Sequence, residues 1–111
     1  MYAIVDIETT GLNTKSSKIT EIAVFIFDGT RIVDRFETLV NPECRIPYNI
    51  TRLTGIDDRM VKDAPRFFEV AKKIVEITEG HIFVAHNASF DYNFIRSEFK
   101  RLFYDYRRNT L

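Results

Sequence analysis

The chain has 111 residues, with sixteen basic and sixteen acidic side chains, ten Phe and five Tyr, 45% hydrophobic content and a single cysteine, Cys44. That length suits one domain with one modest core, and the apolar content excludes a disordered chain. Zero net charge excludes a strongly basic stand-alone DNA-binding module, and one cysteine excludes an internal disulfide or a cysteine zinc cluster. With no apolar leader and no run of ~20 apolar residues, the expectation is a cytoplasmic protein, neither secreted nor membrane-bound.

The first predicted element is Tyr2-Ala3-Ile4-Val5-Asp6-Ile7-Glu8, an apolar strand that ends in two acids and continues into Thr9-Thr10-Gly11. Side chains alternate across a strand, so Asp6 and Glu8 share the face of Ile4 while Ala3, Val5 and Ile7 fill the other. The strand reads as covered on both sides. Two like charges in a partly dry place are costly unless a cation compensates them, which a hard divalent metal such as Mg²⁺ or Mn²⁺ would do; a solvated strand end is the other reading. Residues 12–18 are polar and read as a surface loop, mobile near the acids. A second strand is expected from Ile19 to Phe27, then a two-residue hairpin turn at Asp28-Gly29, then a third strand over residues 30–40. The mixed charges of that third strand suit a sheet edge.

Asn41-Pro42 closes the hairpin region, and the next twenty or so residues carry only short helical hints, Pro47 as a start and Gly55 as a stop. A helix is expected from Asp63 as N-cap, with Pro65 in its first turn, to Glu79 before Gly80. Phe67, Val70, Ala71, Ile74, Val75 and Thr78 form its inner face. Ile82-Phe83-Val84-Ala85 reads as a short buried strand, parallel to the first and reached by a right-handed crossover. A last helix is expected from Ala88 to about Phe103, with Phe94, Ile95, Phe99, Leu102 and Phe103 as its apolar stripe. No complete element is expected after it.

A second polar cluster, His86-Asn87-Ala88-Ser89-Phe90-Asp91, lies where the short strand turns into the last helix. Neighbouring parallel strands open their carboxyl ends onto one crevice, where α/β sheets place ligands. Asp91 shares the helix face of Phe94, Ile95 and Glu98, so it would turn inward toward Asp6 and Glu8. Taken alone, Asp91 also reads as a first-turn acid favoured by the helix dipole, with Asn87 or Ser89 as N-cap.

Asp6-Ile7-Glu8-Thr9-Thr10-Gly11 resembles the first motif, and His86-Asn87-Ala88-Ser89-Phe90-Asp91 the second, of the DnaQ-like, DEDD-superfamily 3′-to-5′ exonucleases. Ile19-Thr20-Glu21-Ile22-Ala23, Leu53-Thr54-Gly55-Ile56 and Ala64-Pro65-Arg66-Phe67 are similar to the family as well, so the resemblance spans nearly the whole chain. It favours the branch that includes the proofreading epsilon subunit of DNA polymerase III. The resemblance implies an α/β fold with an RNase H-like mixed sheet, an antiparallel hairpin plus parallel strands, flanked by helices. It implies two divalent ions, Mg²⁺ or Mn²⁺, with Asp6, Glu8 and Asp91 as three of four carboxylate ligands and as the catalytic residues. The implied reaction is hydrolysis of single-stranded DNA from its 3′ end, in proofreading or repair, with a DNA polymerase subunit as a partner. Thr9, Thr10, Gly11 and Asn87 would contact the substrate, and Leu53 and Phe90 would wedge or stack against bases, core packing being an equal reading of Phe90.

The family's third motif, a His or Tyr general base followed by the fourth carboxylate, has no counterpart here. The only histidines are His81, read as an exposed connector, and His86, read as shaping the second motif; Asp105 stands in a context that matches nothing. The expectation is one exonuclease-like domain over residues 1–111, incomplete at its C-terminus, lacking a last strand and helix, and weakly active or inactive by itself. An apolar sheet edge left unpaired would invite self-association. Two alternatives stay open: a non-catalytic nucleic-acid or protein-binding module of the same fold, and a short-RNA exoribonuclease, since no residue is tied to a 2′-hydroxyl contact.

Overall fold

In a computed structural model that describes residues 1–111, the elements follow as β1 (Tyr2–Thr9), β2 (Ile19–Phe27), β3 (Ile32–Leu39), α1 (Tyr48–Thr54), α2 (Asp58–Val61), α3 (Phe67–Thr78), β4 (Ile82–Val84) and α4 (Ala88–Arg101). The strands form one mixed sheet in the order β3-β2-β1-β4, with β2 antiparallel to both β1 and β3 and β4 parallel to β1. β3 takes the edge position that its charges suit.

The period-two pattern of β1 sorts its side chains as expected. Ala3, Val5 and Ile7 lie beside Ile26, Val24 and Ile22 of β2 and are buried with Phe83 against Phe67, Val70, Ile74 and Ile77 of α3 and Phe94, Ile95 and Phe99 of α4. The opposite face is not covered, contrary to expectation. Tyr2, Ile4, Phe25, Phe27, Ile82 and Val84 are only half-buried there and Asp6 is exposed, because α3 and α4 both contribute to the core on the other side.

Local hydrogen bonding moves several predicted boundaries. The β2–β3 connection is residues 28–31 rather than a two-residue turn: the Asp28 carboxylate accepts from the backbone N–H groups of Thr30 and Arg31 at 2.8 and 2.9 Å, an Asx-type closure that replaces the tighter turn. α3 starts at Phe67 and not after Asp63. The Asn41 N–H donates to the Pro65 carbonyl at 2.8 Å and Asn41 bridges Arg66, which holds Arg66 extended; Arg66 becomes the N-cap, its N–H bonded by Glu69 at 2.9 Å. α2, unforeseen, is capped by Asp57, which accepts from the Met60 N–H at 2.9 Å.

α4 ends at Arg101 in a left-handed closure. The Tyr104 N–H donates to the Phe99 carbonyl and the Phe103 N–H to the Lys100 carbonyl, both at 3.0 Å, while the Phe99 and Tyr104 rings meet at 5.3 Å. This is the full Schellman pattern with its apolar contact, and Phe103, at φ 58°, occupies the position where glycine is usual. Leu102 and Phe103 therefore leave the core stripe in which the sequence had placed them: both are exposed.

The tail also carries more than expected. Tyr106 is fully buried, stacked on Phe99 at 4.7 Å with its hydroxyl 2.8 Å from Thr78 Oγ1, and burial pushes its phenol pKa up. Arg108 lies over the Tyr106 ring and donates to the Val75 and Thr78 carbonyls at 3.0 and 3.2 Å, satisfying acceptors that the last turn of α3 leaves open. Beyond it, the Phe83 N–H donates to the Asn109 carbonyl at 2.7 Å and Thr110 bridges Phe83 in parallel, so the outer edge of β4 is partly paired by the chain's own end.

Candidate active site

β4 is three residues long and pairs only with Tyr2, Ile4 and Ala3 between them, so β1 runs on past its parallel neighbour. The first turn of α4 fills the space beside that extension. Asn87 is its N-cap: the Asn87 carbonyl accepts from the Phe90 and Asp91 N–H groups at 3.0 and 3.1 Å, and the Asn87 side chain accepts from the Phe90 N–H at 3.4 Å. Asp91 is thereby turned inward with Phe94, Ile95 and Glu98, only 6% exposed, and its carboxylate lies against the Ile7 backbone N–H. On the open face, Asp6 stands opposite Ala23 and Glu8 opposite Glu21.

The acids repel one another. Burial pushes the Asp91 carboxyl up to about 6, helped by the charge of Asp6 and opposed by the Ile7 N–H and the nearby His86. The Glu8 carboxyl is also raised, by burial first and then by Asp6, Glu21 and Asp91. None of these acids has a cationic partner: the ion pairs of the chain are Glu43–Arg66, Asp105–Arg96, Glu98–Arg101 and Asp105–Arg107. No three acids, histidines or cysteines close into a ready-made metal cage. What Asp6, Glu8 and Asp91 offer is a cluster of uncompensated hard oxygen donors, a donor set that fits Mg²⁺ or Mn²⁺ with water and phosphate completing the shell.

The residues after the acids shape the backbone. Thr9 Oγ1 donates to the Gly11 carbonyl at 2.6 Å and Thr10 Oγ1 accepts from the Lys18 N–H at 3.0 Å, so both hydroxyls are engaged within the loop and both residues are buried. A Cβ on Gly11 would sit 2.6 Å from Ser17 Oγ, which gives that glycine a packing reason of its own. Residues 12–18 are not the mobile loop expected. Ser97 Oγ and Arg101 each donate to the Thr14 carbonyl at 2.8 Å, Arg101 reaches the Lys15 and Ser17 carbonyls at 3.2 and 3.3 Å, and the buried Glu98 accepts from the Ile19 N–H at 2.8 Å.

Ser97, Glu98 and Arg101 escaped the sequence reading as site residues. Glu98 carried a signal, an acid on the inner face of a helix, which must be partnered when buried. Glu21 escaped too, although the hairpin register sets it directly across from Glu8. Phe90 is half-buried and packs on Phe94 at 4.9 Å, whereas Leu53 is 80% exposed on α1. His86 is exposed, and His81 is half-buried with Nδ1 lacking a partner, not an exposed connector.

Residues 3–110 match the model of the family described as exonuclease, RNase_T. The chain is 50% identical over 101 residues to the PolC-type DNA polymerase III of Caldanaerobacter subterraneus subsp. tengcongensis, a stretch that is 91% of this chain and 7% of that protein. It is 38% identical over 106 residues to the 3′-5′ exonuclease DinG of Staphylococcus saprophyticus, 96% of this chain and 12% of that one. Exonuclease X in complex with 5′ overhanging duplex DNA is similar at a TM-score of 0.69 and 32% identity, over 86% of this chain and 54% of that chain. Apo exonuclease I, at 17% identity, shares the fold at a TM-score of 0.88 over 99% of this chain and 28% of its own. The mixed sheet and its helices are therefore the RNase H-like architecture of the exonucleases. The chain spans about 7% of the length of the PolC-type relatives it matches.

Proposed function

Because the chain belongs to the exonuclease (RNase_T) family, matching its model over residues 3–110, we propose that it forms the metal- and 3′-end-binding part of a 3′-to-5′ exonuclease acting on single-stranded DNA. One observation carries the reading: Asp6 and Glu8 from β1 and Asp91 from α4 feel one another's charge at the carboxyl ends of two parallel strands, and none of them is in an ion pair. Asp6, Glu8 and Asp91 would hold Mg²⁺ or Mn²⁺, as a pair of ions. Bound there, such a pair supplies an acidified water and charge stabilisation for the attacking and leaving oxygens of a phosphoryl displacement.

The chain's own residues orient that chemistry. The Ile7 N–H lies beside the Asp91 carboxylate, and the clamp on residues 12–18 fixes the backbone of Thr9, Thr10 and Gly11, which would face the terminal nucleotide through main-chain atoms, their hydroxyls being engaged internally. The exposed Leu53 and the half-buried Phe90 offer apolar surface to bases, and Asn87 a polar edge. The 111 residues contain no third motif with a His or Tyr base, so turnover by the chain alone is expected to be slow.

The names of its relatives support this reading: one is a 3′-5′ exonuclease, one a DNA polymerase, and a solved exonuclease I holds a dT13 oligonucleotide. A proofreading or repair role beside a polymerase in the cytoplasm follows as part of the proposal; no helix is long and apolar enough to cross a membrane. The test is calorimetric titration with Mn²⁺ together with a single-strand degradation assay on DNA and RNA, each repeated with Asp6→Ala. Mn²⁺ binding that disappears in the variant, with slow loss of DNA 3′ ends, is the expected result. Mn²⁺ binding indifferent to Asp6 would refute the shared site, and preferential attack on RNA would move the substrate to the exoribonuclease reading.

A further inference from the structure

The outer face of α4 forms one wall of a groove of about 780 Å³ whose other wall is the clamped loop at Thr14 and Lys15. Three cations line it, Lys15, Arg96 and Lys100. The single acid in it, Asp105, is already paired with Arg96 at 3.2 Å and with Arg107 at 2.8 Å, which leaves Lys15 and Lys100 without an ion pair. At the far end stand two aromatics, Tyr104, partly exposed, and Phe103, which is 100% exposed.

Phe103 is unfavourable twice over for the fold. Its ring is fully in water, and its backbone sits at φ 58° in the helix-closing position where glycine fits without strain. Nothing in the chain is gained from a phenyl group there, so its use lies outside the chain. A cationic groove that ends in an unstacked ring has the chemistry of a single-strand track, in which phosphates meet lysines and a base stacks on an aromatic face.

Resting on the reading of Asp6, Glu8 and Asp91 as the 3′-end site, we propose that this groove carries the single DNA strand that leads into that site, with Phe103 stacking a base upstream of the end. From Asp91 to Arg101, where α4 ends two residues before Phe103, the helix rises about 15 Å at ~1.5 Å per residue, about four steps at the ~3.4 Å spacing of a stacked strand, which brings about the fifth nucleotide to Phe103. A four-nucleotide strand would stop short of Phe103 and a twelve-nucleotide strand would pass it.

The experiment is fluorescence anisotropy with labelled oligo-dT of four and twelve nucleotides, in EDTA, on the full 111-residue chain. The twelve-mer is expected to bind more tightly, and Phe103→Gly to lose about five- to 150-fold on the twelve-mer alone, the range of one base–aromatic stack. The same variant is expected to raise the thermal midpoint, since glycine relieves the backbone, while Phe103→Trp restores binding. Lys15→Gln with Lys100→Gln should lower the slope of log affinity against log salt by about 1.4. Phe103→Gly that binds both oligonucleotides like the wild type, or weakens both equally, overturns the track. If the four-mer is cut in an Asp6-dependent way in a parallel assay with Mn²⁺ while the twelve-mer binds no more tightly in EDTA, the track falls and the active-site reading stands; a wild type that binds neither one in EDTA and cuts neither with Mn²⁺ overturns both.

Discussion

Asp91→Asn is expected to stabilise the metal-free protein while abolishing its affinity for divalent metal. Burial and the charge of Asp6 push the Asp91 carboxyl from 3.8 up to about 6 in the fold. Between those two pH values the folded chain holds a proton that the unfolded chain has lost, so stability falls as pH rises from below 3.8 to above 6. The gap, at ~1.36 kcal/mol per pH unit, is worth about 3 kcal/mol at most above pH 6. Asn has nearly the same shape, keeps an acceptor for the Ile7 N–H and carries no charge, so the variant should recover about 1–3 kcal/mol at pH 8 and about half as much at pH 5. Thermal denaturation in EDTA should show a midpoint higher by roughly 5–15 °C at pH 8. With Mn²⁺ at a thousand times its dissociation constant the order should reverse, the wild type gaining about 4.1 kcal/mol that the variant cannot. A variant no more stable than wild type at pH 8, or an advantage that grows as pH falls, would refute the account of Asp91 as a buried, uncompensated acid.

Gly11→Ala should cost about 1–3 kcal/mol by urea denaturation because its Cβ meets Ser17 Oγ at 2.6 Å, and adding Ser17→Ala should recover most of it. If the double variant is no better, backbone strain and not the hydroxyl sets the cost. Glu98→Ala leaves the Ile19 N–H buried without an acceptor and should cost about 1–3 kcal/mol, whereas Glu98→Gln keeps an acceptor and should cost less; limited proteolysis within residues 12–18 would rise in the first and not in the second. Arg108→Ala should fray the end of α3, read as faster amide exchange at Ile77 and Thr78, with a loss of about 0.5–1.5 kcal/mol for each hydrogen bond removed.

What could be read from the residues was what local rules decide. Alternation put Ala3, Val5 and Ile7 on one face and Asp6 and Glu8 on the other, and helical spacing put Asp91 on the buried face of α4. The cover on the second face of β1 was misjudged because an apolar strand in isolation does not say which side its crossover helices take. The remaining differences come from bonds that no local pattern encodes. Asn41 fixes the start of α3 from across the chain, Glu98 ties the start of β2 over a separation of 79 residues, and Tyr106 joins the core from a tail that has no periodicity.

The length of β4 does as much for the site as the acids themselves. Because it pairs only as far as Ile4, the Ile7 N–H faces no parallel strand, and the chain leaves β4 in time for α4 to begin beside it. A strand continuing through Ala85 and His86 would occupy the edge that Asp91 now takes, leaving Asp91 without the Ile7 N–H and out of charge range of Asp6. The short strand thus converts two acids on one face of a sheet into three around a crevice. It also accounts for the polar residues at the junction: Asn87 must cap a helix that starts at once, and its carbonyl and side chain meet the two N–H groups, of Phe90 and Asp91, that set the direction of the third carboxylate.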